Sequence, residues 1–359
     1  MNAYHYTGFD VHKKTIQFCT KLIDGTIVAE GRIPATRAGL AAWLAQQKQP
    51  WQGALEATMF SAWIYDVLAP HAVALKVAHS ALLAAIAAGK HASDRLDART
   101  IADLVRANLI PGVWMAPPEI RALRLQLRYR NLVVRQATQT MNRIASTLME
   151  QGVEYSKTKL HGKRYFQELL ESLEEVPETV RTMLRYSRGN LEMFRTTQRL
   201  LLNRLGGDAR LAARLRVLQT IPGVGQITAL TWALEIGDPQ RFRSAARAMS
   251  YCGLVAPLQE SAGKQYRQPL SKKRNAHLQT MLIEAAHLAP RYHPELRRLY
   301  DATQQKRHAG AAVLAVARKL VCYLLAVDKG QQPFELRTPR AGTSAPAEQA
   351  ANPPAPPSD

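Results

Sequence analysis

The chain is short of cysteine, of unbroken apolar runs and, above all, of negative charge. Its 359 residues hold three cysteines, Cys19, Cys252 and Cys322, far apart and with neither a CxxC pair nor paired histidines. That pattern excludes a small zinc module and a disulfide framework, and it fits a reducing cytoplasm. The longest apolar stretch, Val67 to Ala88, is interrupted by Pro70, His71, Lys76 and His79, so it does not read as membrane-spanning. The start, MNAYHYTGFD, lacks the charged and apolar regions of a signal peptide. Asp plus Glu total 28 against 48 Lys plus Arg, a formal charge of +20. A chain this basic is expected to meet a polyanion, DNA or RNA before a membrane surface.

Against that acid deficit, four carboxylates in the first hundred positions stand out. Asp10 lies in YTGFDVHKK, an apolar-to-acidic step typical of a buried strand end, and Glu56 ends a second strand-like run, WQGALEAT. Asp94 and Asp97 lie in SDRLDARTIADL, a helix start whose spacing puts both carboxylates on one face. Two strand-end acids and two on a helical turn can cage Mg2+, a hard cation that takes oxygen ligands. In enzymes that cut phosphodiesters, two such ions sit about 4 Å apart. Taken singly, each acid also reads as a solvated strand end or a helix cap.

Residues 4–35 read as a strand meander with a hairpin signal at Asp24-Gly25, followed by alternating helices and strands. The expected fold over 1–115 is an α/β domain built on a mixed sheet flanked by helices, a nuclease-like layout. Pro117 and Pro118 then open a helix whose apolar positions are Ile120, Leu123, Leu127, Val134, Ala137, Met141, Ile144 and Leu148. Their alternating intervals of three and four, with Arg130 in the missing place, form a heptad seam. It predicts a helical hairpin or a coiled coil with another subunit, within a helical region over 116–210. Arg121, Arg124, Arg128 and Arg135 share a neighbouring face, either as solvated flanks or as a stripe that follows a phosphate backbone.

A mainly α-helical region is expected over 211–335. It opens near IPGVGQITAL, where Gly223 and Gly225 read as the turn of a helix-hairpin-helix element whose amides face a phosphate. A polar segment follows with Ser261, Ser271, Lys272, Lys273 and Arg274, and residues 336–359 read as a disordered tail rich in Ala and Pro.

With these motifs in order, the chain resembles the RNA-guided (bridge RNA) insertion-sequence transposases that pair a RuvC-like DEDD domain with a C-terminal transposase domain. GFDVHKK, LEAT, SDRLDARTIADL, LQTIPGVGQITAL, RFRSAARAMSYCGL and PLSKKRNAHLQTML carry the resemblance, over about residues 5–330. It implies that Asp10, Glu56, Asp94 and Asp97 are a metal-binding tetrad and that Ser261 is a nucleophile forming a phosphoserine link to DNA. Ser271 is the fallback, otherwise a phosphate or RNA contact beside Lys272, Lys273 and Arg274. The sequence departs from the family pattern in EATMFSAW after Glu56, in Ser93 where Thr is usual, and in Ala262 between Ser261 and Gly263.

The resemblance further implies donor and target DNA, a structured guide RNA, a dimer or tetramer, two Mg2+ ions, and a cytoplasmic protein that joins the nucleoid when acting. Since the acids and the serine lie far apart in sequence, a composite site shared between subunits through the coiled coil is expected. Three other readings use the same residues. A junction-resolvase-like nuclease needs the acids but no serine. A DNA invertase uses the same chemistry on another arrangement, and a non-enzymatic nucleic-acid scaffold needs only the charge. His91, near Asp94 and Asp97, reads as a packing residue.

Overall fold

The computed structural model describes residues 4–87, 98–256, 258–261, 264–267, 269–270 and 274–335. The chain divides into two compact units, Met1–Ala122 and Leu123–Asp359.

In the first unit, β1 (His5–Val11), β2 (Thr15–Lys21) and β3 (Ile27–Pro34) form the expected antiparallel meander. The turn between β2 and β3 is closed by Asp24, whose carboxylate accepts from the Thr26 amide at 2.9 Å, and by Gly25 at φ +94°. After α1 (Arg37–Ala45), β4 (Trp51–Glu56) adds parallel to β1. After α2 (Ser61–Leu68), β5 (Ala74–Ala78) adds parallel to β4. Then come α3 (Ser80–Ala87), α4 (Ala98–Arg106) and the short β6 (Gly112–Val113), antiparallel to β5. The sheet order is β3-β2-β1-β4-β5-β6, a mixed sheet consistent with a RuvC-like domain.

Strand alternation assigns the two faces. Phe9, Val11, Ile16, Ile33, Trp51, Leu55 and Val77 point into one buried layer with Leu40 and Trp43 of α1 and Ile64 and Leu68 of α2. Phe9, Trp43 and Trp51 meet there edge to face, with centroids 5.1 to 5.8 Å apart. The opposite face carries Gly8, Cys19, Ala54 and Ala78, small side chains on which α3 and α4 pack through Leu83, Ala98, Ile101 and Ala102.

The helix α5 (Pro118–Glu150) begins in the first unit, and from Leu123 onward it belongs to the second. Ala137, Ile144 and Leu148 pack with Phe166 and Leu170 of α6 (Lys163–Glu171) and with Leu184 and Leu191 of α7 (Glu178–Gly206). The seam therefore closes as a helical hairpin within the chain. Its middle differs from the expected positions: Val133 is buried and Val134 only half-buried. On a helix of 3.6 residues per turn Val133 falls about 40° from Ala137 and Val134 about 60°, so the earlier valine lies nearer the face that continues through Ile144 and Leu148.

The unit continues with α8 (Ala209–Leu218), α9 (Gln226–Ile236), α10 (Ala245–Tyr251), a hairpin of β7 (Leu258–Ser261) and β8 (Lys264–Arg267), and then α11 (Ala276–Leu288), α12 (Pro294–Lys306) and α13 (Ala309–Gly330). Among the described residues α13 alone is long and apolar enough to cross a membrane. Its Val316, Leu320 and Leu324 are instead covered by protein, and its buried Asp328 receives a two-pronged ion pair from Arg214 at 2.7 Å.

Candidate active site

The site begins with strand register. Gly8 pairs with Ala54 and Phe9 with Leu55 across the parallel β1–β4 ladder. The next step along both strands reaches Asp10 and Glu56, so the two acids sit at neighbouring strand ends with side chains on the same face. That face is the one covered by α4. Asp10 is largely buried, its side chain 13% exposed, and His12 donates from Nε2 to Asp10 Oδ2 at 3.0 Å.

The chain after Glu56 is pinned by hydroxyls. Ser61 Oγ donates to the Glu56 carbonyl at 2.6 Å and accepts from the Thr58 amide at 2.7 Å, while Ser80 Oγ donates to the Ala57 carbonyl at 3.1 Å. The EATMFSAW departure thus builds a hydroxyl-locked turn that fixes the Glu56 backbone.

Gly8 brings α4 onto this face. A Cβ at Gly8 would lie 2.2 Å from the Ala98 carbonyl oxygen and 2.5 Å from the Ala102 nitrogen, so only glycine lets the helix sit directly on β1. Ion pairs hold the helix in place: Lys21 with Asp103 at 2.7 Å, and Arg99 with Glu30 through two hydrogen bonds of 2.7 Å. Asp94 and Asp97 lie outside the described residues, as does His91. The described helix starts at Ala98, the residue bonded to Asp97, and Ala98 stands over Gly8, two positions before Asp10 on the same face.

Two hard oxygen donors side by side at strand ends, one of them largely buried, fit a divalent cation, which would relieve their mutual repulsion. Among the described residues no group of three or more His, Cys, Asp and Glu side chains converges on a metal position. Of the four acids expected to form a tetrad, the described residues hold Asp10 and Glu56, with His12 beside Asp10. His12 was not singled out in the sequence, although its place two residues after Asp10, just past the end of β1, was the available signal.

The other expected site residues lie in the second unit, apart from Arg121. Ser261 is the last residue of β7, paired with Lys264 at the start of β8, so it stands at the hairpin tip. The base of this hairpin segment is stapled: the Asn275 amide donates to the Tyr251 carbonyl at 3.0 Å, and Gln279 Nε2 donates to the Gly253 carbonyl at 2.7 Å. Ser271, Lys272 and Lys273 lie outside the described residues. Arg274 is exposed, and its side chain runs along Gly253 at φ +71°.

Gly223 has φ +84°, and a Cβ there would meet Ala289 at 2.7 Å, so packing demands this glycine. Gly225 faces open space as the N-cap of α9 with no side-chain cap. The arginine stripe of α5 divides. Arg121 pairs with Asp66, and Arg124 donates to the Leu234 carbonyl at 2.8 Å. Arg128 grips the fully buried Glu235 through two hydrogen bonds of 2.8 Å, and Asn275 donates to the same carboxylate. Three of the four arginines thus have partners within the chain, Arg128 with its side chain still 43% exposed, and of the four only Arg135 is exposed without a described partner. Burial alone pushes the Glu235 carboxyl up, but the bonds from Arg128 and Asn275 and the charges of Arg128 and Arg124 outweigh it and hold the group below the usual carboxylate range.

Comparison with known proteins fits this geometry. Residues 7–151, the stretch that carries Asp10 and Glu56, match the model of a transposase domain of the DEDD type. Residues 215–301 match the model of the transposase IS116/IS110/IS902 family.

Similar curated proteins include the transposase for insertion sequence element IS1111A of Coxiella burnetii, 29% identical over 207 residues, 54% of this chain and 54% of that one. The y4qE protein of Sinorhizobium fredii is 28% identical over 211 residues, 58% of this chain and 51% of its own length. The transposase for insertion sequence element IS1328 of Yersinia enterocolitica is 27% identical over 235 residues, 64% and 69% of the two chains. The match spans about half the length of the first two relatives.

Proposed function

We propose that this chain is a metal-dependent DNA transposase that cuts a strand and rejoins it through a covalent serine intermediate. The observation that carries the reading is the Asp10–Glu56 pair on adjacent parallel strands, on the face where Gly8 seats the helix that follows Asp97. Asp10, Glu56, Asp94 and Asp97 are the residues to hold Mg2+. When bound, the ions supply charge stabilisation at the phosphate oxygens.

In the proposed step Ser261 Oγ attacks phosphorus. The Oγ–P bond forms, the P–O bond to one nucleotide breaks, and the departing oxygen takes up a proton. Attack by a new hydroxyl then reverses the exchange, forming a P–O bond and returning the serine. The number of phosphoester bonds is unchanged, so no ATP is needed. The family resemblance supports Ser261 over Ser271 as nucleophile, assigns target choice to a structured RNA, and gives a dimer or tetramer in which subunits share the site. The +20 charge supports a polyanionic partner, and the open face of Gly225 suits a phosphate.

An adduct assay tests the reading. The protein is produced with its flanking DNA, so that any guide RNA is present, and mixed with Mg2+ and labelled element-end DNA. An SDS-resistant protein–DNA species that disappears in Ser261→Ala and in Asp97→Ala is the expected result. Nicked DNA without adduct, unaffected by Ser261→Ala, would leave a metal nuclease of the resolvase kind. DNA binding with no cutting, indifferent to Asp10→Ala, would leave a scaffold.

A further inference from the structure

The carboxylate row does not end at Asp10. Across the antiparallel β1–β2 ladder Asp10 pairs with Gln17, and across β2–β3 Gln17 pairs with Arg32. Directly paired residues share a face, so Arg32, Gln17, Asp10 and Glu56 form one transverse line on the side covered by α4. Two strand spacings separate the Arg32 and Asp10 backbones, about 10 Å.

A cleft of about 430 Å³ opens at the Gln17–Arg32 end of this line. Its walls include Gln17, Cys19, Glu30 and Arg32 from the sheet and Ala98 and Arg99 from the first turn of α4. Within it Arg99 is tied to Glu30 by paired 2.7 Å bonds, which neutralises the cleft's own carboxylate. Arg32 is exposed, with no hydrogen-bond or carboxylate partner among the described residues.

The line therefore grades from two anions through a neutral amide to a cation. A nucleic-acid backbone placed with one phosphate at the acids needs the reverse charges: a cation for the acids at one phosphate and a fixed positive group for the next. We infer that Arg32 and Gln17 form a flanking subsite, in which Arg32 binds the phosphate neighbouring the scissile one and Gln17 hydrogen-bonds the sugar or base edge between them. The inference rests on the proposed strand-transfer reading and adds the strand's direction across the sheet, from β4 toward the β3 edge. A charge placed only to protect an edge strand from pairing would not need to share the carboxylates' face or to line a cleft beside them.

Equilibrium binding tests this with the full chain and a labelled element-end DNA in which each phosphate in turn is replaced by an uncharged methylphosphonate. One position is expected to weaken wild-type binding about tenfold, and Arg32→Ala to weaken binding of native DNA by the same factor. The two losses are expected not to add at that position and to add at all others. Arg32→Lys is expected to recover most of the affinity, and thermal melting of each variant confirms that it folds.

Losses that add at every phosphate would overturn the subsite, even with metal-dependent cutting intact. Non-additivity at one position in a protein that cuts no DNA would support the subsite and count against the proposed transposase chemistry, so the two readings fail separately.

Discussion

Asp10 illustrates how much one side chain's surroundings decide. It is largely covered, it stands beside Glu56, and His12 is its hydrogen-bond donor at 3.0 Å. Asp10→Asn keeps the shape and the acceptor oxygen while removing the charge that would hold a cation. Metal-dependent strand cutting is expected to fall by at least about a thousandfold, equivalent to about 4 kcal/mol of barrier, with thermal stability unchanged or raised because like-charge repulsion is gone. Cleavage rates and melting curves on the same preparation check both halves. His12→Ala leaves the ligand in place and frees its orientation, so apparent metal affinity is expected to drop about tenfold, read from a Mg2+ titration of activity.

Glu235 is the contrasting carboxylate, fully buried and held by Arg128, Arg124 and Asn275. Glu235→Gln is expected to cost about 3 kcal/mol, the lower end for breaking a buried pair because the Arg128 side chain is 43% exposed. The folded carboxyl lies below its ordinary value, so its stabilisation is complete above the ordinary carboxylate range and fades as pH falls through the folded value. The stability gap between wild type and variant should shrink from pH 7 toward pH 3 in denaturant melts. A gap that widens in acid would refute the assignment. The Cys252 thiol, pushed up to about 12 by burial, is expected to resist alkylation in the native protein at neutral pH.

At the scale of elements, α4 is the part on which the site depends, and Gly8 is what admits it. Gly8→Val would drive methyl groups into the Ala98 carbonyl and the Ala102 amide, at a cost of about 3 kcal/mol or more if the helix stays in place. The expected result is a chain that still folds its second unit but loses metal-dependent activity, detected by hydrogen exchange rising in residues 98–106 with protection of α13 retained.

Much of this unit's fold was legible in the sequence. β-rich runs marked the strands, Asp24-Gly25 marked the turn, and the acidic residues at strand ends marked a candidate site. The hydroxyl lock of Thr58, Ser61 and Ser80 was hidden, because its partners are backbone carbonyls that only the fold brings near. The arginines of α5 misled for a related reason. A helix face rich in Arg looks the same whether its partners are phosphates or a buried Glu235 more than a hundred residues away.

Across the whole molecule, that division of cations sets how binding should respond to salt. The +20 charge promises strong, sequence-independent attraction to nucleic acid, and each phosphate neutralised contributes a slope of about −0.9 in log affinity against log salt. Cations already paired inside the protein contribute nothing to that slope. Arg124 and Arg128 bind Leu234 and Glu235, so Arg128→Ala is expected to lower the melting temperature and leave the slope unchanged. Arg135, exposed on the same helix, should do the reverse: Arg135→Ala leaves melting unchanged and, if its face follows the backbone, reduces the slope by about one. Measuring both variants on one DNA between low and moderate salt separates the two roles. Equal slope losses from Arg128→Ala and Arg135→Ala would mean that the Glu235 pairing opens on DNA and that the stripe acts as a unit. A slope lost only in Arg135→Ala would confine the α5 contact to the half of the helix beyond that pairing.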